Sequence, residues 1–291
     1  MHKPPIIAGE VLFDHFPDGK RVLGGAPFNV AWNLHGLGVD SLFVSAVGDD
    51  QSGHEILKIM SDWGMKTRGV QVNDHATGQV AVTIDGGQPS YEIVHPVAFD
   101  FISPLTDDVS SKNYSLLYLG SLAFRNQQSR ATLTELIQSS KLPRFVDVNI
   151  RDPWFDQSWL DVLIQDAKWV KMSDEELIRL SSIEHCDTVD QVVKGTAELG
   201  ARYNVNTFLI TAGGDGAYMI DNGDPIHAPA PEPAKMADTV GAGDSFAAAM
   251  IAGFTLGHSP QQSLDHAVAF ASRVCGLSGA TTNDRNFYRL G

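Results

Sequence analysis

DTVGAGDSFAAAMIAGF, residues 238–254, sets two glycines around an alanine, follows them with an acid, and continues as an apolar run. Glycine inside a helix costs roughly 1 kcal/mol relative to alanine, and a carboxylate is a poor opening for a buried face. Both choices make sense if a helix begins here against an anion. The first N–H groups of a helix have no intrahelical partner, and the macrodipole adds partial positive charge. Glycine lets a bulky group approach without a Cβ in the way. Gly241, Ala242 and Gly243 then make an anion hole suited to a phosphoryl group. Asp244, in the same turn, can take the proton of an alcohol as it attacks phosphorus. Asp238 can hold the loop or a cation. Taken alone, the stretch reads more readily as a capped helix start, with Asp244 complementing the dipole.

A second glycine turn shifts the balance. LGGAPFNVAWNLHGLG, residues 23–38, again runs from glycines into a helix, with a proline at a plausible first helical position. Asn29 and Asn33 stand four apart and share a face. Asn29, in the first turn, can donate and accept toward a polyhydroxylated ligand. Asp14, just upstream, can accept from vicinal hydroxyls. In ITAGGDGAYMI, residues 210–220, a strand ends in a glycine turn and a second strand leaves; a simple hairpin explains that stretch equally well.

Outward from these turns, short apolar runs alternate with amphipathic segments. PPIIAG (4–9), LFVSAV (42–47), SLLYLG (115–120), RFVDVNI (144–150), KWVKM (168–172) and TFLITAG (207–213) read as strands of a parallel sheet covered on both faces. Helices are expected over 27–37, 51–63, 129–140, 173–182, 188–201, 242–256 and 260–275. Such alternation predicts an α/β, doubly wound, mostly parallel sheet with helices on both faces. Two segments break it. Residues 10–24 read as a hairpin around Pro17-Asp18-Gly19, and QVAVTIDGGQPSYEIVHP (79–96) as another around an Asp-Gly-Gly turn. Together they can form a small antiparallel sheet serving as a lid, with strands near 10–24 and 79–100; two ordinary edge hairpins are the alternative. The proline-rich 225–238 should run extended.

The chain has 291 residues, which suits a single domain over 1–291. A net charge of −14 and a pI near 5.0 argue against nucleic-acid partners. Cys186 and Cys275 are too few for a disulfide framework or a zinc site. The start, MHKPPIIAGEVLF, lacks the apolar segment of a signal peptide, and SFAAAMIAGF is far short of the ~20 residues of a membrane span. The expectation is a soluble, cytoplasmic protein with no membrane partner.

LGGAPFNVAWNLHGLG and DTVGAGDSFAAA together resemble the two signatures of the ribokinase-like (PfkB) carbohydrate kinases, and TAGGDGA (211–217) is similar to that family's nucleotide-side glycine turn. The motifs fall in the family's order across nearly the whole chain. GEVLFD (9–14), GGAPFNVAW and DVNIRDPWF (147–155) look most like bacterial fructokinases. The resemblance implies a nine-stranded α/β core with a β lid and ATP-dependent phosphorylation of a sugar hydroxyl, most readily that of fructose. Ribose, 2-keto-3-deoxygluconate or a nucleoside is the alternative acceptor, and a non-catalytic sugar-binding protein the alternative class. By position, Asp244 matches the catalytic base, and Gly241, Ala242 and Gly243 the anion hole. Asp14, Gly24, Gly25 and Asn29 match sugar contacts, while Thr211, Gly213 and Gly216 match the ATP side. Arg151 can reach substrate or a phosphate, or form a surface ion pair.

The family's Mg²⁺-linked motif is often Asn-x-x-Glu. Here Ser173 replaces the amide, so Glu176 is either a metal-shell residue or the N3 half of a capping box. The segment 267–284 resembles the adenine-flanking part and, in many relatives, a K⁺ loop, with Gly279 on the nucleotide side. Asp238 and the carbonyls of Val240 and Gly279 would be the K⁺ ligands. Exposed strand edges of the lid are where a homodimer would form.

Overall fold

Three consecutive residues show how the main sheet is buried. Ile6, Ile7 and Ala8 are all 0% exposed, yet Ile6 and Ala8 belong to one hydrophobic core and Ile7 to another. Side chains alternate across a strand, so this strand carries a core on each face. Each isoleucine so buried contributes about 1.5–3 kcal/mol. The computed structural model describes residues 2–85, 88–106, 108–231 and 238–289, with the backbone alone at 84, 85 and 88–90.

In chain order the strands are β1 (Ile6–Ala8), β2 (Leu12–His15), β3 (Arg21–Gly24), β4 (Leu42–Gly48), β5 (Val70–Asn73), β6 (Gly78–Asp85), β7 (Gln88–Ile93), β8 (Leu117–Gly120), β9 (Arg144–Asp147), β10 (Trp169–Ser173), β11 (Thr207–Thr211), β12 (Ala217–Asp221) and β13 (Asp224–Ala228). The helices are α1 (Ala26–Gly36), α2 (Gln51–Trp63), α3 (Gln127–Ser140), α4 (Gln157–Ile164), α5 (Asp174–Leu180), α6 (Val189–Tyr203), α7 (Ala242–Leu256) and α8 (Pro260–Val274). The main sheet has nine strands in the order β13-β12-β11-β10-β9-β8-β1-β4-β5. The pairs from β11 through to β5 are parallel; β12 and β13 extend that edge as antiparallel hairpin strands. Helices α1, α2, α7 and α8 cover one face, and α3, α4, α5 and α6 the other. The α/β, mostly parallel, two-face architecture expected from the alternation is the one observed.

Both hairpins join one second sheet, of order β3-β2-β6-β7. Its central pair differs from the antiparallel arrangement expected: β2 and β6 run parallel, Leu12 opposite Gly78 and Asp14 opposite Val80. Each hairpin is antiparallel within itself, but alternation says nothing about how two hairpins meet. A third core of Leu12, Val80, Val82, Val97, Phe99 and Leu122 fastens this sheet to the main body. At its root, Arg125 pairs with Asp100 at 2.8 Å and donates to the carbonyl of Val94 at 2.7 Å.

Local chemistry sets several boundaries. Asp50 caps α2 by accepting from the N–H of Gly53, and Ser259 with Gln262 forms a capping box on α8. The strand expected over 144–150 stops at Asp147, and Asn149 has φ 40°, which no strand accommodates. Helix α4 and edge strand β5 are additional to the expectation. The glycines of the turn expected at 85–87, and residues 232–237 of the extended run expected over 225–238, lie outside the described residues; the start of that run is extended as expected, as strand β13. No helix among the described residues is long and apolar enough to cross a membrane, and both cysteines are free thiols.

Candidate active site

Strand β1 lies between β4, reached through α1, and β8, on its other side. Sheets of this kind bind ligands in the crevice beyond the carboxyl ends of the strands, where the order reverses. The chain leaves β1 there, passes Glu10, builds β2 and β3, and re-enters at Gly24 and Gly25 to start α1. A cleft of about 480 Å³ opens at this point. Leu12, Val22, Val80, Tyr91 and Ile93 of the second sheet form an apolar wall, and the polar groups come from the main body and the edge of that sheet.

Asp244, Gly241, Gly243, Asp14, Gly24, Gly25, Asn29, Arg151 and Gly279 all line this one cleft, although they come from distant parts of the chain. Gly241 is the N-cap of α7 at φ 78°. Ala242 differs from its neighbours: its N–H donates to the Thr239 carbonyl at 3.2 Å, so it is engaged in the turn. Among the described residues nothing takes up the N–H groups of Gly241, Gly243 or Asp244. Asp238 accepts from the N–H of Val240 at 3.0 Å and ties down the loop.

Asn29 donates its Nδ2 to Asp244 Oδ2 at 2.8 Å. This bond joins the two glycine turns across 215 positions of sequence. It leaves Asn29 Oδ1 buried without a partner. Burial raises the Asp244 pKa, while the Asn29 bond and the charges of Lys171 and Arg151 act in the opposite direction. A carboxylate so placed is more basic than a solvated one. Asp14, half-buried, is pushed up to about 6 by burial. Gly25 has φ 105°, and a Cβ there would stand 2.8 Å from the Glu10 carbonyl, so only glycine closes this turn. Arg151 forms no ion pair among the described residues; its charge faces Glu10 and Asp244.

Two cleft groups were not anticipated from the sequence. Glu10 is 3% exposed, accepts from the N–H of Ala26 at 3.2 Å and leaves Oε2 unpartnered. Lys171 is also buried and donates to Asp147 at 3.0 Å. A signal existed: KWVKM and RFVDVNI each carry one charge inside a run read as buried on both faces, and a buried charge requires a partner.

The remaining expected residues lie elsewhere. Thr211, Gly213 and Gly216 form the turn between β11 and β12, off the cleft. Thr211 pairs in register with Ser173, so this turn shares an edge with Glu176. Glu176 itself accepts from the N–H of Ile150 at 2.6 Å and of Ser173 at 2.9 Å, while the Ser173 hydroxyl accepts from the N–H of Glu176. Both carboxylate oxygens are thus engaged by backbone, in the capping box that the sequence left open as an alternative. No cluster of three or more metal-binding side chains occurs among the described residues.

The profile of the pfkB family carbohydrate kinases matches residues 8–286. A fructokinase of Klebsiella pneumoniae is 31% identical over 291 residues, covering 94% of this chain and 92% of its own. An aminoimidazole riboside kinase of Salmonella typhimurium is 29% identical, with 94% and 88% covered. Among solved structures, Arabidopsis thaliana ribokinase complexed with ribose and ATP has a TM-score of 0.83 at 23% identity, over 99% of this chain and 98% of that one. Matched through both glycine turns and the cleft between them, the chain belongs to the pfkB family of carbohydrate kinases.

Proposed function

We propose that this carbohydrate kinase transfers the γ-phosphoryl group of ATP to a primary hydroxyl of fructose, with Asp244 as general base. The observation that carries the reading is the meeting of Asp244, held by Asn29 at 2.8 Å, with free helix N-terminal amides in one cleft. The fructokinase of Klebsiella pneumoniae, at 31% identity, supports fructose over other acceptors.

Asp14, Asn29 and the backbone at Gly24 and Gly25 bind the sugar hydroxyls. Asp244 accepts the proton of the attacking hydroxyl, the new O–P bond forms, and the bond to the ADP oxygen breaks. The N–H groups of Gly241 and Gly243 bind the transferring phosphoryl, where fixed dipoles outperform reorienting water. The β11–β12 turn at Thr211, Gly213 and Gly216, together with Gly279, takes the nucleotide. Arg151 binds phosphate or sugar. The second sheet acts as a lid whose apolar wall excludes water and limits ATP hydrolysis.

ATP enters as its magnesium salt, whose ion is coordinated largely by phosphate oxygens and water. Glu176, with both oxygens on backbone amides, fits a helix cap and not a direct ligand.

Asp244→Asn keeps shape and the Asn29 contact region but removes the base. Turnover should fall on the order of 10²–10⁴-fold. ADP release assayed over fructose, ribose, 2-keto-3-deoxygluconate and a riboside should select fructose. Near-native turnover in the folded variant, or strong preference for another acceptor, would overturn the respective half of the reading.

A further inference from the structure

Lys171 sits where a lysine is costly. Strand β10 is interior to the sheet, and the flanking Val170 and Met172 are fully buried. Lys171 faces Asp147 in register across the parallel β9–β10 ladder, so both side chains leave the sheet on one face. Its ammonium reaches the two Asp147 oxygens at 3.0 and 3.3 Å, and Tyr118 donates its hydroxyl to the same carboxylate at 3.3 Å. Well-packed apolar residues often serve stability as well as such a pair does, or better. Stability alone therefore gives no reason for it.

The other side of the ammonium is the start of α7. A Cβ built on Gly243 would lie 2.8 Å from Lys171 Nζ. A cation at a helix N-terminus meets partial positive charge, the unfavourable orientation. Asp147 offsets this from the sheet side only. On the cleft side, Lys171 and Gly243 are both lining residues, and the Gly243 and Asp244 amides are free among the described residues. An ammonium has three donors, and Asp147 takes two of them. Two electropositive groups thus converge on one point of a cleft, and what satisfies both is an anion between them. Lysine at the phosphates is also how other phosphoryl-transfer sites neutralise charge.

We propose that Lys171 is a catalytic residue whose ammonium, together with the amides at the start of α7, binds the oxygens of the transferring phosphoryl group. Asp147 holds it there as a positioning residue. Lys171 keeps its proton throughout; only the hydroxyl proton moves, to Asp244. Gly243 leaves the space through which the ammonium reaches that point. This inference rests on the phosphoryl-transfer reading of the cleft.

The test compares wild type with Lys171→Met, Asp147→Asn and the double variant, measuring turnover with fructose and ATP, thermal unfolding, and the thermal shift produced by fructose alone. Lys171→Met should lose turnover on the order of 10²–10³-fold, the loss seen when one donor to a developing anion is removed, while the fructose shift persists. It also leaves Asp147 buried without its counter-charge, so it should melt lower. The double variant removes that buried charge and should regain most of the melting temperature while turnover stays as low as in Lys171→Met. Asp147→Asn keeps the ammonium but loosens its position, and should lower turnover by about tenfold, less than Lys171→Met does. Recovery of turnover in the double variant to within about threefold of wild type would reduce Lys171 to a counter-ion and overturn the proposal. The double variant carries the test even if Lys171→Met fails to fold. Near-native turnover in Asp244→Asn would instead sink the phosphoryl-transfer reading itself, whatever the Lys171 variants do.

Discussion

Replacing Glu10 with glutamine should change how stability depends on pH, with sign and size fixed by the carboxyl's surroundings. The side chain is 3% exposed, and one of its oxygens has no partner. Burial is the main reason its pKa rises from 4.5 to about 7; the Asp244 charge adds to the rise, while its own backbone bond, Arg151 and the Ala26 N–H oppose it. Below pH 4.5 the group is protonated whether the chain is folded or not, and it exacts no penalty. As pH climbs from 4.5 toward 7, the unfolded chain ionises first, so folding loses free energy; above 7 the loss is complete. At about 1.4 kcal/mol per pKa unit, the interval from 4.5 to about 7 corresponds to about 3 kcal/mol. Glutamine preserves the shape and the acceptor for Ala26 but cannot ionise. Urea unfolding of both proteins from pH 5 to pH 8.5 should therefore show the variant gaining on wild type by about 2–3 kcal/mol across that range. Asp14 and Asp147, both pushed up to about 6, titrate in the two proteins alike and cancel. The quantity that matters is the change with pH, because the new amide brings a constant offset. Two stability curves that stay parallel within about 0.5 kcal/mol would refute the buried-carboxyl account.

Asp14→Asn should raise the acceptor KM at least about tenfold with a smaller change in kcat. It should also abolish the rise in KM expected in wild type as pH falls through about 6, where Asp14 protonates; an unchanged KM–pH profile would remove Asp14 from sugar binding. Gly25→Ala forces a side chain into φ 105° and against the Glu10 carbonyl, and should cost about 1–3 kcal/mol in urea unfolding. Arg125→Met strands Asp100, whose side chain is 0% exposed, and should cost about 3–5 kcal/mol. Adding Asp100→Asn should recover part of that loss, and a melting temperature unchanged by the first substitution would show the pair to be dispensable.

Residues marked by a local backbone requirement were legible in the sequence. Two glycines before an acid located the start of α7, and its ends fall at the residues expected. The same holds for α2, stopped by Gly64 at φ 97°. These signals travel with the residue that makes them. Lys171 and Asp147 stand 24 positions apart and meet only because β9 and β10 pair in one register; no local pattern fixes that. The parallel contact of β2 with β6 was hidden for the same reason, since each hairpin is locally complete. Glu10 was obscured differently: beside Gly9 it looks like turn polarity, and only the closed α1 start at Gly25 and Ala26 shows that it is buried. The cleft is thus assembled from two kinds of information. Glycines fix the turns and can be read one turn at a time, while the charges that would answer an anion there are delivered by strand register and emerge only when the sheet has formed. A chain can keep every glycine motif and still lack the charges, so the buried partners of the turns, more than the turns themselves, are where activity should be tested.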